Sequence, residues 1–218
     1  MTHLDYRAEF FEVADLEEAK LKILTPENGV STAERWQRET LPMTDLLIEN
    51  LNPSVGQTLI DYGCGIGRLA KELIKQSDCH VIGVDISRSM RAMSQMYCET
   101  NSFFSCSNES LRSLMNCGFR ADHAFSVWVL QHAENPGEDI NLIYETLASD
   151  GTFLVINLDD RCLPTRQGWQ TDGIDIKKLI EKRFEVVKYF PPPEGALTDL
   201  ARLMSFCGLY RKSDSNGK

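Results

Sequence analysis

The stretch from Thr58 to Asp85 reads TLIDYGCGIGRLAKELIKQSDCHVIGVD. It begins as a short apolar run, turns through glycine at every second position, and continues with helical periodicity. A second apolar run follows and ends on an acid. Strand, helix and strand in that order argue for parallel pairing and an α/β architecture. Gly63, Gly65 and Gly67 let the backbone turn tightly and approach a ligand with no Cβ in the way. Asp85 puts two acceptor oxygens at the tip of the neighbouring strand, where a ribose diol can donate. The combination suits a nucleoside-bearing cofactor at a helix N-terminus.

The rest of the chain continues this alternation. TLIDY at 58–62 is read as a strand, 67–76 as a helix, and HVIGVD at 80–85 as the next strand. Ser87 caps a helix through Tyr97. A short strand is expected at 102–106, a helix at 109–117, a strand at 124–130 (AFSVWVL), a helix at 138–147 and a strand at 151–158. FEVVKYF at 184–190 and SFCGLYRK at 205–212 can form two last strands, joined through the extended PPPEG at 191–195. Short apolar runs alternating with helices give a mostly parallel sheet covered on both faces. Ahead of it, 7–24 reads as a helical lead-in broken by Pro26 and Gly29. A second helix, capped by Ser31 or Thr32, is kinked or divided by Pro42. The expected organisation is an N-terminal helical cover over 1–52, one domain over 53–212, and a polar tail over 213–218.

Asp61, Gly63, Gly65 and Gly67 form a D-x-G-x-G-x-G motif between strand and helix. A dinucleotide fingerprint counted from Gly63 would need glycine at position 68, where Arg68 stands. No GKS or GKT follows for a phosphate-cradling loop. Over about residues 56–158 the chain resembles the class I S-adenosylmethionine-dependent methyltransferases, with looser agreement in the C-terminal strands. That resemblance implies a Rossmann-like, seven-stranded sheet with an antiparallel final strand. It implies that Asp85 holds the ribose, that Ile86 packs on the adenine, and that Asp61 and the glycine turn serve the methionine end. Asn108 stands where the family often has an acid for the adenine amine, and its amide oxygen can still accept. The implied product is S-adenosylhomocysteine, and the implied reaction is methyl transfer to an O or N nucleophile of a small molecule. A peptide acceptor, or a catalytically inactive cofactor-binding regulator, is the alternative.

Acceptor chemistry belongs at the carboxyl ends of the strands. VWVLQH places Gln131 and His132 at that rim. Gln131 is expected to orient the cofactor. His132 has three readings: a general base, since free imidazole titrates near 6.5; a positioning group; or a loop tie. Trp36 and Trp169 are candidates to stack on an acceptor, Arg38, Arg161 and Arg166 to hold a carboxylate, and Asp159 and Asp160 to bind an amine or take a proton. For each, surface packing or helix capping is the competing reading.

Composition sets the outer limits. A formal charge of −9 argues against affinity built on nucleic-acid phosphates. The N/D-P-P-Y pattern of many exocyclic-nitrogen methylating enzymes is missing after the fourth strand. The seven cysteines stand singly, without CxxC or metal-ligand spacing, and read as reduced thiols of a cytoplasmic protein with no metal. No run is long enough to span a bilayer, and nothing in the sequence sets an oligomeric state.

Overall fold

The computed structural model describes residues 4–193 and 202–213. Its strands are β1 (Thr58–Tyr62), β2 (His80–Val84), β3 (Phe103–Cys106), β4 (Ala121–Val127), β5 (Leu147–Leu158), β6 (Leu163–Thr165), β7 (Gly168–Gln170), β8 (Glu185–Phe190) and β9 (Ser205–Arg211). Its helices are α1 (Leu16–Ile23), α2 (Thr32–Leu51), α3 (Arg68–Ser77), α4 (Arg88–Cys98), α5 (Asn108–Asn116), α6 (Pro136–Thr146) and α7 (Ile176–Glu181). Seven strands form one Rossmann-like sheet in the order β3-β2-β1-β4-β5-β9-β8. The pairs from β3 through β5 are parallel, whereas β9 runs antiparallel to both β5 and β8. The short β6–β7 hairpin stands apart.

Strand alternation builds the two cores. In β5, Leu154 and Ile156 face a layer with Met43 and Leu47 of α2 and Leu69 and Leu73 of α3. Phe153 and Val155 face the opposite layer, with Leu111 of α5, Ile140 and Ile143 of α6, and Ile180 of α7. Every second side chain of a strand points to the same face, so one apolar run supplies both layers. No helix among the described residues is long and apolar enough to cross a membrane.

Four local expectations need correction. The lead-in is not one helix: a single 3-10 turn at Ala8–Phe11 gives way to extended chain, and Asp15 starts α1 afresh by accepting the Glu18 N–H. Pro42 does not divide α2, which runs unbroken from Thr32 to Leu51. An interior proline costs roughly 3 kcal/mol, and burial of Met43, Leu46, Leu47 and Leu51 offsets it. A capping box at Ser31 and Glu34 starts that helix. The fourth strand ends at Val127 and does not reach Leu130, because Trp128 adopts φ +62° and Leu130–His132 form a 3-10 turn. The segment after Asp160, where no strand was expected, contains β6 and β7. Of PPPEG, only Pro191–Pro193 lie within the described residues.

Candidate active site

A cavity of about 860 Å³ opens where β1, β2 and β4 end. At its floor, Gly63 has φ +82°, and a Cβ there would lie 2.2 Å from Val129 Cγ2. Gly65 has φ +53°, and its Cβ would meet Ile23 at 2.7 Å. Only glycine fits either place without displacing a neighbour. Asp85, just past β2, ties the turn to the strand tip: Oδ2 accepts the Gly65 N–H at 2.8 Å and Oδ1 the Ser87 N–H at 2.9 Å. Burial pushes its carboxyl pKa up, and those N–H groups and Arg91 pull against that rise. Each oxygen keeps a further lone pair for a hydroxyl donor. Ile86, 56% exposed, offers an apolar surface beside it.

Charge is concentrated behind the turn. Asp61 is fully buried and its carboxyl is raised to about 8, by burial first and then by Asp85, with Arg68 opposing. Arg68 is lowered to about 10 by its own burial, against the attraction of Glu39 and Asp61. Arg68 lines the cavity, donates to Thr40 Oγ1 at 3.2 Å, and keeps a buried Nε–H without a partner among the described residues.

On the opposite wall, Tyr62 donates to Asp139 Oδ1 at 2.5 Å, and Asn108 Nδ2 reaches the Tyr62 hydroxyl at 3.0 Å. Burial raises the Asp139 carboxyl despite these donors. Asn108 is thus held by its amide nitrogen, and its Oδ1 is the end left to accept.

The chain N-terminal to α2 forms a strap over the cavity, supplying Tyr6, Phe10, Phe11, Lys22 and Ile23 to its lining. One end is pinned where Arg7 N–H donates to Pro164 O at 2.9 Å. The other is pinned by Glu12, whose carboxylate accepts Arg88 N–H at 2.8 Å and Ser89 N–H at 2.9 Å. A carboxylate there complements the first turn of α4. Burial opposes the charge, but donation from the Ser89 hydroxyl and the two amides prevails and holds Glu12 at about 2.

His132 stands between the rings of Phe11 and Trp169, at centroid distances of 6.0 and 5.2 Å. Its Nδ1–H donates to Cys162 O at 2.6 Å, which fixes the tautomer. Its Nε2 therefore carries the lone pair and receives Gln131 Nε2 at 3.3 Å. Burial lowers the His132 pKa, so the ring is neutral at pH 7.

Residues 60–155 match a family described as "Methyltransferase domain". The match runs from Ile60 in β1 to Val155 in β5 and covers less than half of the chain. The cofactor of such an enzyme domain is S-adenosylmethionine. The chain is 24% identical over 144 residues to methoxy mycolic acid synthase MmaA3 of Mycobacterium tuberculosis (strain ATCC 25618 / H37Rv), covering 63% of this chain and 43% of that protein. It is 21% identical over 151 residues to (+)-O-methylkolavelool synthase of Herpetosiphon aurantiacus, covering 68% of this chain and 48% of that one. It spans less than half the length of these curated relatives. The fold is similar to N-methyltransferase NodS from Bradyrhizobium japonicum WM9, solved with S-adenosylhomocysteine, at a TM-score of 0.65 and 14% identity, over 96% of this chain and 99% of that one.

The cavity gathers some of the expected residues and leaves others out. Gly63, Gly65, Asp85, Ile86, Asn108, His132 and Trp169 all line it. Asp61 and Gly67 do not: Asp61 is buried behind the turn, and Gly67 caps α3. Gln131 is corrected from ligand to support, since it is 2% exposed, outside the lining, and donates its N–H to Asn157 Oδ1 at 3.1 Å. Arg161 is also support. Its side chain is fully buried, paired with Asp172, and donates to the carbonyls of Ala133 and Glu134. The remaining acceptor candidates fall outside the cavity. Trp36 packs edge-on against Tyr97, Arg38 pairs with Glu39, Arg166 pairs with Asp5, and Asp159 and Asp160 are exposed. For Trp36 and Arg38 the reason is that the cover over the cavity is the strap and α1, while α2 belongs to the core. Sequence reasoning missed Arg68, Tyr62, Asp139 and the strap aromatics. The Phe10-Phe11 pair in an otherwise charged stretch was the available signal for the last of these.

Proposed function

We propose that the chain transfers the methyl group of S-adenosylmethionine to an O or N nucleophile of a small molecule. The observation that carries the reading is Asp85 bound to the Gly65 N–H, both lining the cavity. Asp85 would hold the ribose, Ile86 the adenine face and Asn108 Oδ1 the adenine amine. Gly63 and Gly65 would admit the methionine end, with Asp61 and Gly67 shaping the turn. Arg68, with its unpartnered Nε–H, suits a carboxylate there. The residues present fit the cofactor, and the uncollapsed glycine turn is what makes room for it.

When bound, S-adenosylmethionine supplies a sulfonium methyl whose S–C bond breaks toward sulfur as the acceptor's lone pair forms the new bond, leaving S-adenosylhomocysteine. The protein has to align the acceptor and keep water out. The strap and its rings serve both ends. His132, neutral and fixed by Cys162, would offer its Nε2 lone pair as the proton acceptor once the 3.3 Å bond from the Gln131 amide gives way. Free thiols at all seven cysteines suit the reducing cytoplasm.

The test is calorimetric titration with S-adenosylmethionine, S-adenosylhomocysteine and NAD. Saturable binding of the adenosyl ligands alone is expected, weakened at least about tenfold by Asp85→Asn, which can no longer serve both amides and the ribose. Folded protein that ignores the adenosyl ligands would overturn the reading.

A further inference from the structure

The cavity wall changes character away from the glycine turn. Phe10 and Trp169 meet edge-on at 4.8 Å, and His132 and Phe11 continue the ring cluster. Trp169 keeps 49% of its surface uncovered and lines the cavity. Lys22 already lays its ammonium 3.7 Å from the centre of the Phe10 ring, so these faces accept a cation. Carboxylates dominate the charge here. Glu134, Glu138 and Asp139 line the cavity from the loop after His132 and from α6, and Glu18 joins them from the strap. Arg68 and Lys22 are the cationic lining residues, and Arg68 sits at the start of α3 beside the glycine turn. The acids reach one point inside: the Tyr6 phenol is pushed up to about 12, by burial first and then by Glu134 and Asp139.

We propose that the methyl acceptor is an amine carried on an aromatic or apolar body. The uncovered Trp169 ring, with Phe10 and Phe11, takes the body, and Glu134 with Asp139 draws the ammonium. The inference rests on the methyl-transfer reading for its reaction but not for its binding. An anionic acceptor would be repelled by these carboxylates, and a hydroxyl would gain nothing from them while its developing oxyanion was opposed. As the Gln131 amide releases Nε2 of His132, the ammonium gives that nitrogen one proton, and the freed lone pair then forms the N–C bond as the S–C pair returns to sulfur. The imidazolium, disfavoured by burial, returns its proton to water.

Binding can be read without turnover. The protein, alone and with saturating S-adenosylhomocysteine, is titrated with 2-phenylethylamine, 2-phenylethanol and 3-phenylpropanoate, followed by tryptophan fluorescence and calorimetry. The amine is expected to bind about tenfold tighter than either analogue. Glu134→Gln should remove most of that preference, and Trp169→Ala should weaken all three probes, with S-adenosylhomocysteine affinity unchanged in both variants. Equal binding, no binding of the amine, or a preference that survives Glu134→Gln would overturn the inference while leaving methyl transfer standing. Amine selectivity in a protein that binds no S-adenosylhomocysteine would support the amine site and overturn the methyl-transfer reading.

Discussion

Gly63 lets the closeness of the cofactor turn to the loop after β4 be measured as a stability. An ideal Cβ on Gly63 would lie 2.2 and 2.4 Å from the two Val129 methyl carbons and 2.8 Å from Val129 Cβ. Because Val129 Cβ is itself too near, no side-chain rotation clears the overlap and backbone has to move. Overpacking of this kind costs about 1–3 kcal/mol. Placing an L-residue at φ +82° adds about 1–2 kcal/mol, partly offset by about 0.4–1 kcal/mol from the stiffer unfolded chain. Gly56 is the matched control, with φ +80° and nothing within 4 Å of its Cβ position. The left-handed cost and the offset are common to both sites, so Gly63→Ala should be less stable than Gly56→Ala by about 1–3 kcal/mol. In urea that is a midpoint difference of about 1 M at a slope near 2 kcal/mol/M. Val129→Ala removes the two methyl contacts and should recover part of the loss, with a coupling of about 1 kcal/mol in the double-mutant cycle. Because Val129 lines the cavity, S-adenosylhomocysteine affinity should fall in Gly63→Ala and hold in Gly56→Ala. Equal midpoints for the two alanine variants would refute the packing argument.

Tyr62→Phe takes from half-buried Asp139 its shortest donor and should cost about 1–3 kcal/mol in urea unfolding; a loss below about 0.5 kcal/mol would show that Asn108 alone satisfies the carboxylate. Burial depresses the folded pKa of His132 below its unfolded 6.5, so its stabilising contribution is complete above that value and is lost as pH falls through the folded pKa. NMR titration, with His132→Gln for assignment, should place the inflection below 6.5, and an inflection above it contradicts the burial argument. Glu12, held at about 2 against a reference of 4.5, contributes stability that is present above pH 4.5 and lost as pH falls toward 2. Glu12→Ala should weaken the strap's tie to α4, speed tryptic cleavage at Arg7, Lys20 and Lys22, and reduce S-adenosylhomocysteine affinity a few-fold. Unchanged cleavage would mean that the Arg7–Pro164 tie holds the strap by itself.

What could be read ahead of the structure divides along a physical line. Residues 58–158 were legible because each element there makes its own case: period-two apolar runs, glycines at φ values that only glycine takes easily, and Ser87 capping α4 through the Met90 N–H at 3.1 Å. Asp85, Ile86 and Asn108 followed, since a strand end or a helix start fixes a side chain's place within a residue or two. The acceptor side was poorly legible because long-range contacts place it. Nothing local in AEFFEVADLEE states that Glu12 will cap a helix 76 residues later, and nothing near Trp36 states that α2 will turn inward to the core. Arg161 shows the same limit from within: an arginine after a strand in a loop looks free to hold a substrate, yet its side chain is buried and Asp172 and two carbonyls take its two terminal nitrogens. Trp128 adds a fourth case, since VWVL has strand propensity throughout and only φ +62° at Trp128 swings Val129 toward Gly63 and His132 toward the rings. The cofactor end is therefore written in local chemistry and the acceptor end in tertiary contacts. Substitutions in the strap should accordingly change which molecule is methylated more readily than they change whether the cofactor binds.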